Sequence, residues 1–242
     1  MKKYLRNWFR KTLYLYVFIG FNFCFAGSYE NFFVAIKNDA PGVVAELLAR
    51  GFDANTPNPQ GLTGLYLALV EPAPKVLQVL MSWPQTNLEA ANAQGETVLM
   101  LAALKGQLQL VNQLIEKGAE VNKQGWTALH YAASGGGHVD VMRALLENHA
   151  YIDAESPNGT TPLMMAAQYG SPDVVKLLLE EGADPTLKNQ QGLSAVDFAQ
   201  RVKRTTESMN LIATFTRAHP TAPVPQVETG TAASPRTPRS PS

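Results

Sequence analysis

Thr127-Ala-Leu-His-Tyr-Ala-Ala133 and Thr161-Pro-Leu-Met-Met-Ala-Ala167 are two versions of one phrase. Each comes directly after a Gly-x pair, and the same opening occurs five times along the chain. The five are Gly61-Leu-Thr-Gly-Leu, Gly95-Glu-Thr-Val-Leu, Gly125-Trp-Thr-Ala-Leu, Gly159-Thr-Thr-Pro-Leu and Gly192-Leu-Ser-Ala-Val. Successive glycines stand 34, 30, 34 and 33 residues apart. A period near 33 residues means a stack of small supersecondary units rather than one closed core, and it outranks any local pattern.

The second half of each unit repeats as well. Leu110-Val-Asn-Gln-Leu-Ile-Glu-Lys-Gly-Ala-Glu-Val-Asn122 matches Val174-Val-Lys-Leu-Leu-Leu-Glu-Glu-Gly-Ala-Asp-Pro185. From Val174 to Glu181 the apolar residues recur at helical spacing and leave Lys176, Glu180 and Glu181 to solvent. Gly51, Gly118 and Gly182 fall where a helix ends in a left-handed cap. Thr63, Thr97, Thr127, Thr161 and Ser194 stand where a hydroxyl caps the next helix, and Pro162 suits a first helical turn. Each unit therefore reads as turn, short helix, reverse turn, longer helix. One such pair cannot bury its apolar faces alone, so stability must come from stacked neighbours.

The phrase T-x-L-H-x-A-A, its period and the Gly-Ala-Asp/Glu ending resemble the ankyrin-repeat family over roughly residues 31–216. The resemblance implies an all-α solenoid of about six helix-turn-helix units with short turn fingers. The repeats are expected at about 31–60, 61–94, 95–124, 125–158, 159–191 and 192–216. Two units depart from the pattern. In the second, Glu71-Pro-Ala-Pro74 replaces the usual Gly-containing turn and Trp83-Pro84 replaces the glycine cap. In the third, the finger around Val121-Asn-Lys-Gln124 is about three residues short.

Flanking segments carry different signals. Residues 1–11 are basic, 12–25 are almost wholly apolar, and the small residues Ala26 and Gly27 come next. This order describes a secretory leader over 1–27, with an apolar run shorter than the roughly 20 residues of a spanning helix. A periplasmic or secreted chain is expected, the alternative being a membrane anchor through an uncleaved N-terminal segment. Bulky Phe23 before Cys24 argues against a lipoprotein, and the separation of Arg6 from Arg10 excludes a twin-arginine signal. Residues 219–242 are rich in Pro, Ser, Thr and Ala, and such a tail cannot repay its ordering entropy.

Charge and cysteine content narrow the function. Five cations precede Glu30, and the chain from Glu30 onward carries fifteen cations against twenty anions, a net charge of −5. An acidic body excludes electrostatic capture of nucleic acid or anionic lipid. The lone Cys24 excludes a disulfide framework or a Cys-based zinc site.

The catalytic inventory is poor: four histidines, and none of the nucleophile-elbow, zincin, P-loop or dinucleotide motifs. Ser134-Gly-Gly-Gly137-His138 looks like a nucleophile beside a base, but in the repeat frame it is the turn between two helices. Tyr66, Met100, His130, Met164 and Asp197 share one column, and Met with His suits copper. Layers about 8–10 Å apart cannot bring a single-file column within the 2–2.5 Å that one ion requires, so no metal and no cofactor is expected. Asn158-Gly159-Thr160 is a glycosylation sequon, yet Asn-Gly also makes a tight turn where the repeat needs one. The family resemblance implies that His130 bonds neighbouring backbone and braces the stack.

The resemblance further implies a protein partner bound by finger tips and first helices. Carried onto this chain, the docking positions are Leu62, Tyr66, Glu96, Leu104, Lys105, Trp126, Ser134, Thr160, Gln168, Tyr169 and Leu193. Trp126 and Tyr169 stand out, because exposed aromatics dominate interface energetics. The competing reading of Trp126 is packing on its own finger. The expected function is a monomeric, non-catalytic interaction module. One alternative is an inhibitor or immunity-type protein covering a basic active site; another is an enzyme or metal protein using the His/Met column.

Overall fold

The computed structural model describes residues 27–202 and 206–218; the expected leader, apart from Gly27, and the expected tail lie outside them. Helix α1 covers 27–37. Next come α2 (Pro41–Ala49), α3 (Gly64–Val70), α4 (Pro74–Ser82), α5 (Val98–Leu104), α6 (Leu108–Glu116) and α7 (Ala128–Ser134). The remainder are α8 (Val139–Glu147), α9 (Pro162–Tyr169), α10 (Pro172–Glu180), α11 (Ala195–Gln200) and α12 (Thr206–Ala218). Among the described residues there are no strands, only an isolated antiparallel bridge between Pro57 and Thr63. The helices form six pairs, as the period requires.

Odd-numbered helices make one layer, with α3, α5, α7, α9 and α11 stacked in order; even-numbered helices make the other. Composition explains the division. The inner helices carry Ala102-Ala103, Ala132-Ala133 and Ala166-Ala167, all fully buried, and these small side chains let neighbouring backbones approach. Leu99, Leu129 and Leu163 fill the space between layers and are at most 2% exposed. The outer helices are amphipathic: α10 buries Val174, Val175, Leu177, Leu178 and Leu179 and turns Lys176 and Glu180 outward.

Caps obey the sequence reading, with two variants. Gly51, Gly118 and Gly182 hold φ of 90°, 90° and 100°, and each outer helix closes there with paired backbone bonds. The fourth unit puts His149 in the same left-handed place at φ 63°. At the inner helices, the hydroxyls of Thr63, Thr97 and Thr161 accept the N–H three residues on, at 3.4–3.5 Å, which is long for such bonds. Thr127 and Ser194 do otherwise. Thr127 Oγ1 pairs with His130 Nδ1 at 2.9 Å, and Ser194 Oγ donates to Asp197 Oδ2 at 2.7 Å, because those side chains reach back and meet the hydroxyl.

Fingers are held at two levels. Within a finger, Asn58, Asn92 and Asn189 each accept two backbone N–H groups from the tip. Between fingers runs a ladder in which Asn87, Glu120, Tyr151 and Asp184 donate backbone N–H to Asn55, Glu89, Asn122 and Asp153. The shortened third finger keeps its rung through Asn122, which also donates to the His149 carbonyl.

A tight backbone approach lies between the fourth and fifth units. A Cβ on Gly170 would sit 2.7 Å from the Ala133 carbonyl oxygen and 2.8 Å from that of Ala166. Neither is a flexible side chain that can swing aside. Gly170→Ala is therefore expected to cost about 1–3 kcal/mol by overpacking. Urea unfolding checks this; a midpoint equal to the parent's would mean that the two units shift apart freely.

Candidate functional site

The column that invited a metal reading instead closes the inner helices. Met100 Sδ accepts Thr97 N–H at 3.4 Å, His130 Nδ1 accepts Thr127 N–H at 3.2 Å, Met164 Sδ accepts Thr161 N–H at 3.4 Å, and Asp197 Oδ2 accepts Ser194 N–H at 2.7 Å. Each side chain satisfies the backbone of its own unit. Since Nδ1 of His130 is an acceptor, its proton resides on Nε2, which donates to the Thr160 carbonyl at 2.9 Å in the next unit. His130 is 0% exposed, and burial pushes its pKa down to about 4 against the opposing pull of the Thr160 and Ala154 carbonyls. It is a neutral brace at neutral pH. Among the described residues no group of three His, Cys, Asp or Glu is placed to hold a metal.

The Ser134–His138 pair is likewise turn architecture. Ser134 Oγ donates to the Tyr131 carbonyl at 2.9 Å, while the His138 ring lies against Gly106 and Gly135.

The expected docking positions separate by burial. Lys105 and Tyr169 are exposed, and Leu62, Glu96, Leu104, Trp126, Ser134, Gln168 and Leu193 are half-buried. Two positions must be corrected. Tyr66 is 7% exposed because its hydroxyl folds over to donate to Glu96 Oε2 at 3.1 Å. Thr160 is 2% exposed because the next finger closes over it, with Gln190 N–H on the Asn158 carbonyl at 3.0 Å. Lys105 is partly committed, since its ammonium donates to the Leu69 carbonyl at the end of α3 at 3.0 Å.

One group of side chains does converge. Trp126 stands edge-to-face on His130, with ring centroids 5.2 Å apart. Together with Tyr131, Ser134 and Met165 these two line a hollow of about 240 Å³ on the finger side of the inner helices. Tyr169 is outside that lining; its hydroxyl accepts a bond from Gln168 at 3.1 Å. Next to the hollow, Glu96 accepts bonds from Tyr131 (2.9 Å), Tyr66 (3.1 Å) and Asn92 (2.6 Å). Burial works to raise the Glu96 pKa, but the donors Asn92, Tyr131 and Tyr66 outweigh it and hold the carboxyl below its ordinary range. Burial and the same carboxylate push the Tyr131 phenol upward. The arrangement offers an ionised carboxylate beside an aromatic pocket. It offers no nucleophile with a base.

Tyr131, Met165 and Asn92 are absent from the sequence-derived positions. The signal for Tyr131 and Met165 lies in the second unspecified place of T-x-L-H-x-A, where Leu101, Tyr131 and Met165 are all large and all half-buried.

The model describing Ankyrin repeats (3 copies) matches residues 32–124 and 120–189. The chain belongs to the ankyrin-repeat family. An ankyrin array of this kind is a protein–protein interaction module. It is 31% identical over 170 residues to the chicken (Gallus gallus) nuclear factor NF-kappa-B p105 subunit, covering 68% of this chain and only 17% of that protein. A putative ankyrin repeat-containing protein of Treponema pallidum is 35% identical over 113 residues, 45% of this chain and 38% of its own length. The ankyrin fold superimposes, with TM-score 0.64 and 25% identity, on a chain from the complex of a Bdellovibrio bacteriovorus predatory endopeptidase with an immunity protein, covering 76% of this chain and 97% of that one. An ankyrin repeat domain from Acinetobacter baumannii gives the same TM-score of 0.64 at 23% identity, covering 76% of this chain and 96% of that one. No helix among the described residues is long and apolar enough to cross a membrane.

Proposed function

We propose that this ankyrin array is an exported, non-catalytic module that docks a protein partner on the face formed by its fingers and inner helices. The observation that carries the reading is the Trp126–Tyr131–Met165 hollow with Glu96 at its edge. An apolar recess beside a fixed polar group is what an interface anchor occupies, and large aromatic residues at such places dominate affinity. Leu62, Leu104, Lys105, Gln168, Tyr169 and Leu193 are the other positions of the proposed docking face, spread along the array from the second repeat to the sixth. The basic, apolar and small-residue order of residues 1–27 supports delivery to the periplasm or beyond, and the composition of residues 219–242 supports a disordered tail.

Affinity capture from the cell envelope with parent, Trp126→Ala and Tyr169→Ala baits tests the docking face. Trp126→Ala is expected to weaken the captured complex by about tenfold or more, and Tyr169→Ala by less because its ring stands outside the hollow. Deleting residues 219–242 should leave capture intact. Loss of the partner on tail deletion with full retention by Trp126→Ala would transfer recognition to the tail.

A second, narrower reading is an immunity-type protein that covers an enzyme. It is supported by the likeness to a chain of an endopeptidase–immunity complex and by the net charge of −5 after the leader. A captured partner whose hydrolytic turnover stops on binding separates it from a passive scaffold.

A further inference from the structure

Glu96 lies between Tyr66 of the preceding repeat and Tyr131 of the next one, so three consecutive units meet at its carboxylate. All three donors to it are neutral: two phenols and the Asn92 amide. They orient the charge and keep the proton off without cancelling it. Among the described residues the ion pairs are Arg50–Glu46, Arg143–Glu181 and Lys176–Glu180, none of which involves Glu96. Lys105, the basic residue among the docking positions, places one ammonium N–H on the Leu69 carbonyl and forms no ion pair with Glu96.

The unused valence is specific. An ionised carboxylate offers about four acceptor positions. Oε2 uses two of them, on Tyr66 and Asn92, and Oε1 uses one, on Tyr131. One position remains, on the oxygen bonded to a residue that also walls the apolar hollow. A two-pronged guanidinium fork finds no second free acceptor there, whereas an ammonium on an aliphatic stem can place one N–H on Oε1, leave the other two to water, and so match both features. The stem lies along Tyr131 and Trp126, and the head meets Oε1.

We propose that the Glu96 carboxylate is a preorganised receptor for a lysine-type ammonium of the partner protein, whose aliphatic stem fills the Trp126–Tyr131–Met165 hollow. The proposal rests on the docking reading above and adds the chemistry of the partner's anchor. The acidic body favours the same partner, because it draws a basic surface toward this face before contact.

The test uses n-hexylammonium as a stand-in for the anchor, with n-hexanol and hexanoate as controls. The purified full chain is titrated with each while the Trp126 indole N–H and the Tyr131 ring signals are tracked by NMR. Hexylammonium is expected to give saturable shifts, binding at least threefold more tightly than hexanol and more tightly still than hexanoate. Glu96→Gln should reduce hexylammonium to the level of hexanol. Tyr131→Phe leaves the charge but removes a donor that orients it, and should bind hexylammonium more weakly than the parent while keeping the preference over hexanol. The idea fails if hexylammonium gives no saturable shift, if hexanol matches it, if Glu96→Gln leaves the preference intact, or if Tyr131→Phe abolishes it. Should the ammonium preference vanish while Trp126→Ala still loses the captured partner, the cation receptor alone is lost. Should Trp126→Ala keep the partner while the preference holds, the docking reading falls instead.

Discussion

Between pH 6.5 and pH 4 the fold is expected to lose about 3 kcal/mol of stability through His130 alone. The group has a pKa of about 4 in the folded chain and about 6.5 when unfolded. Over that window the unfolded chain binds a proton that the folded chain refuses, so stability falls by about 1.4 kcal/mol for each unit of acidification. Above pH 6.5 the contribution is complete; below pH 4 the slope from this residue ends. Carboxylates with lowered pKa, Glu96 and Asp197, add their own loss as the pH falls through the ordinary carboxylate range toward their lowered folded values. The upper part of the window therefore belongs to His130. Met100 and Met164 already do the capping half of its work with a group that does not titrate. His130→Met should accordingly flatten the curve between pH 6.5 and 4.5. At pH 7 it should cost about 1 kcal/mol for the lost bond to Thr160, whose carbonyl keeps the Ser156 N–H as a partner. Urea titrations at pH 7, 5.5 and 4.5 measure both effects; equal slopes for parent and variant would show that His130 is protonated freely inside the fold.

Truncating Leu163 to alanine is expected to have the larger effect at neutral pH. Leu163 is 0% exposed and sits in the inner helix α9, with α7 on one side and α11 on the other. Removing its branched end takes away transfer energy and leaves a cavity that rigid helices close only in part, about 2–5 kcal/mol. Leu129, also 0% exposed, should behave the same one unit earlier. In a stacked array each unit is stabilised by its neighbours, so damage in the fifth repeat should spread to the fourth and sixth. Thermal unfolding combined with limited proteolysis gives both quantities. A melting temperature equal to the parent's would show that the leucine column does not carry the stack.

Much of this architecture is written locally. The five Gly-x-Thr/Ser openings announce the helices because the cap and first turn lie within four residues of each other. His130 is identifiable as a brace from its place in the phrase, and Gly51, Gly118 and Gly182 adopt the left-handed caps that their positions require. The candidate site is legible only in part. Period fixes the column in which a side chain stands, not whether its end folds over the neighbouring unit. Tyr66 reads as open in the repeat frame and is buried because Glu96, thirty residues on, draws its hydroxyl inward. Thr160 reads as a finger-tip residue and is covered because the next finger lies against it. Tyr131 escapes notice for the same reason in reverse. Its place in the phrase is unspecified, and its importance comes from a carboxylate thirty-five residues earlier.

The Tyr66–Glu96–Tyr131 tie also changes how the array can come apart. Units coupled only to their immediate neighbours fray from the ends like a zipper, one tooth at a time. The tie adds one side-chain bond to each of two successive boundaries and hangs both on one carboxylate, so fraying that advances through the second, third and fourth repeats must break Tyr66–Glu96 and Glu96–Tyr131 in turn. The hollow straddles the next boundary, with Met165 from the fifth repeat, so fraying from the N-terminal end meets the tie before it reaches the recess, whereas fraying from the C-terminal end does not.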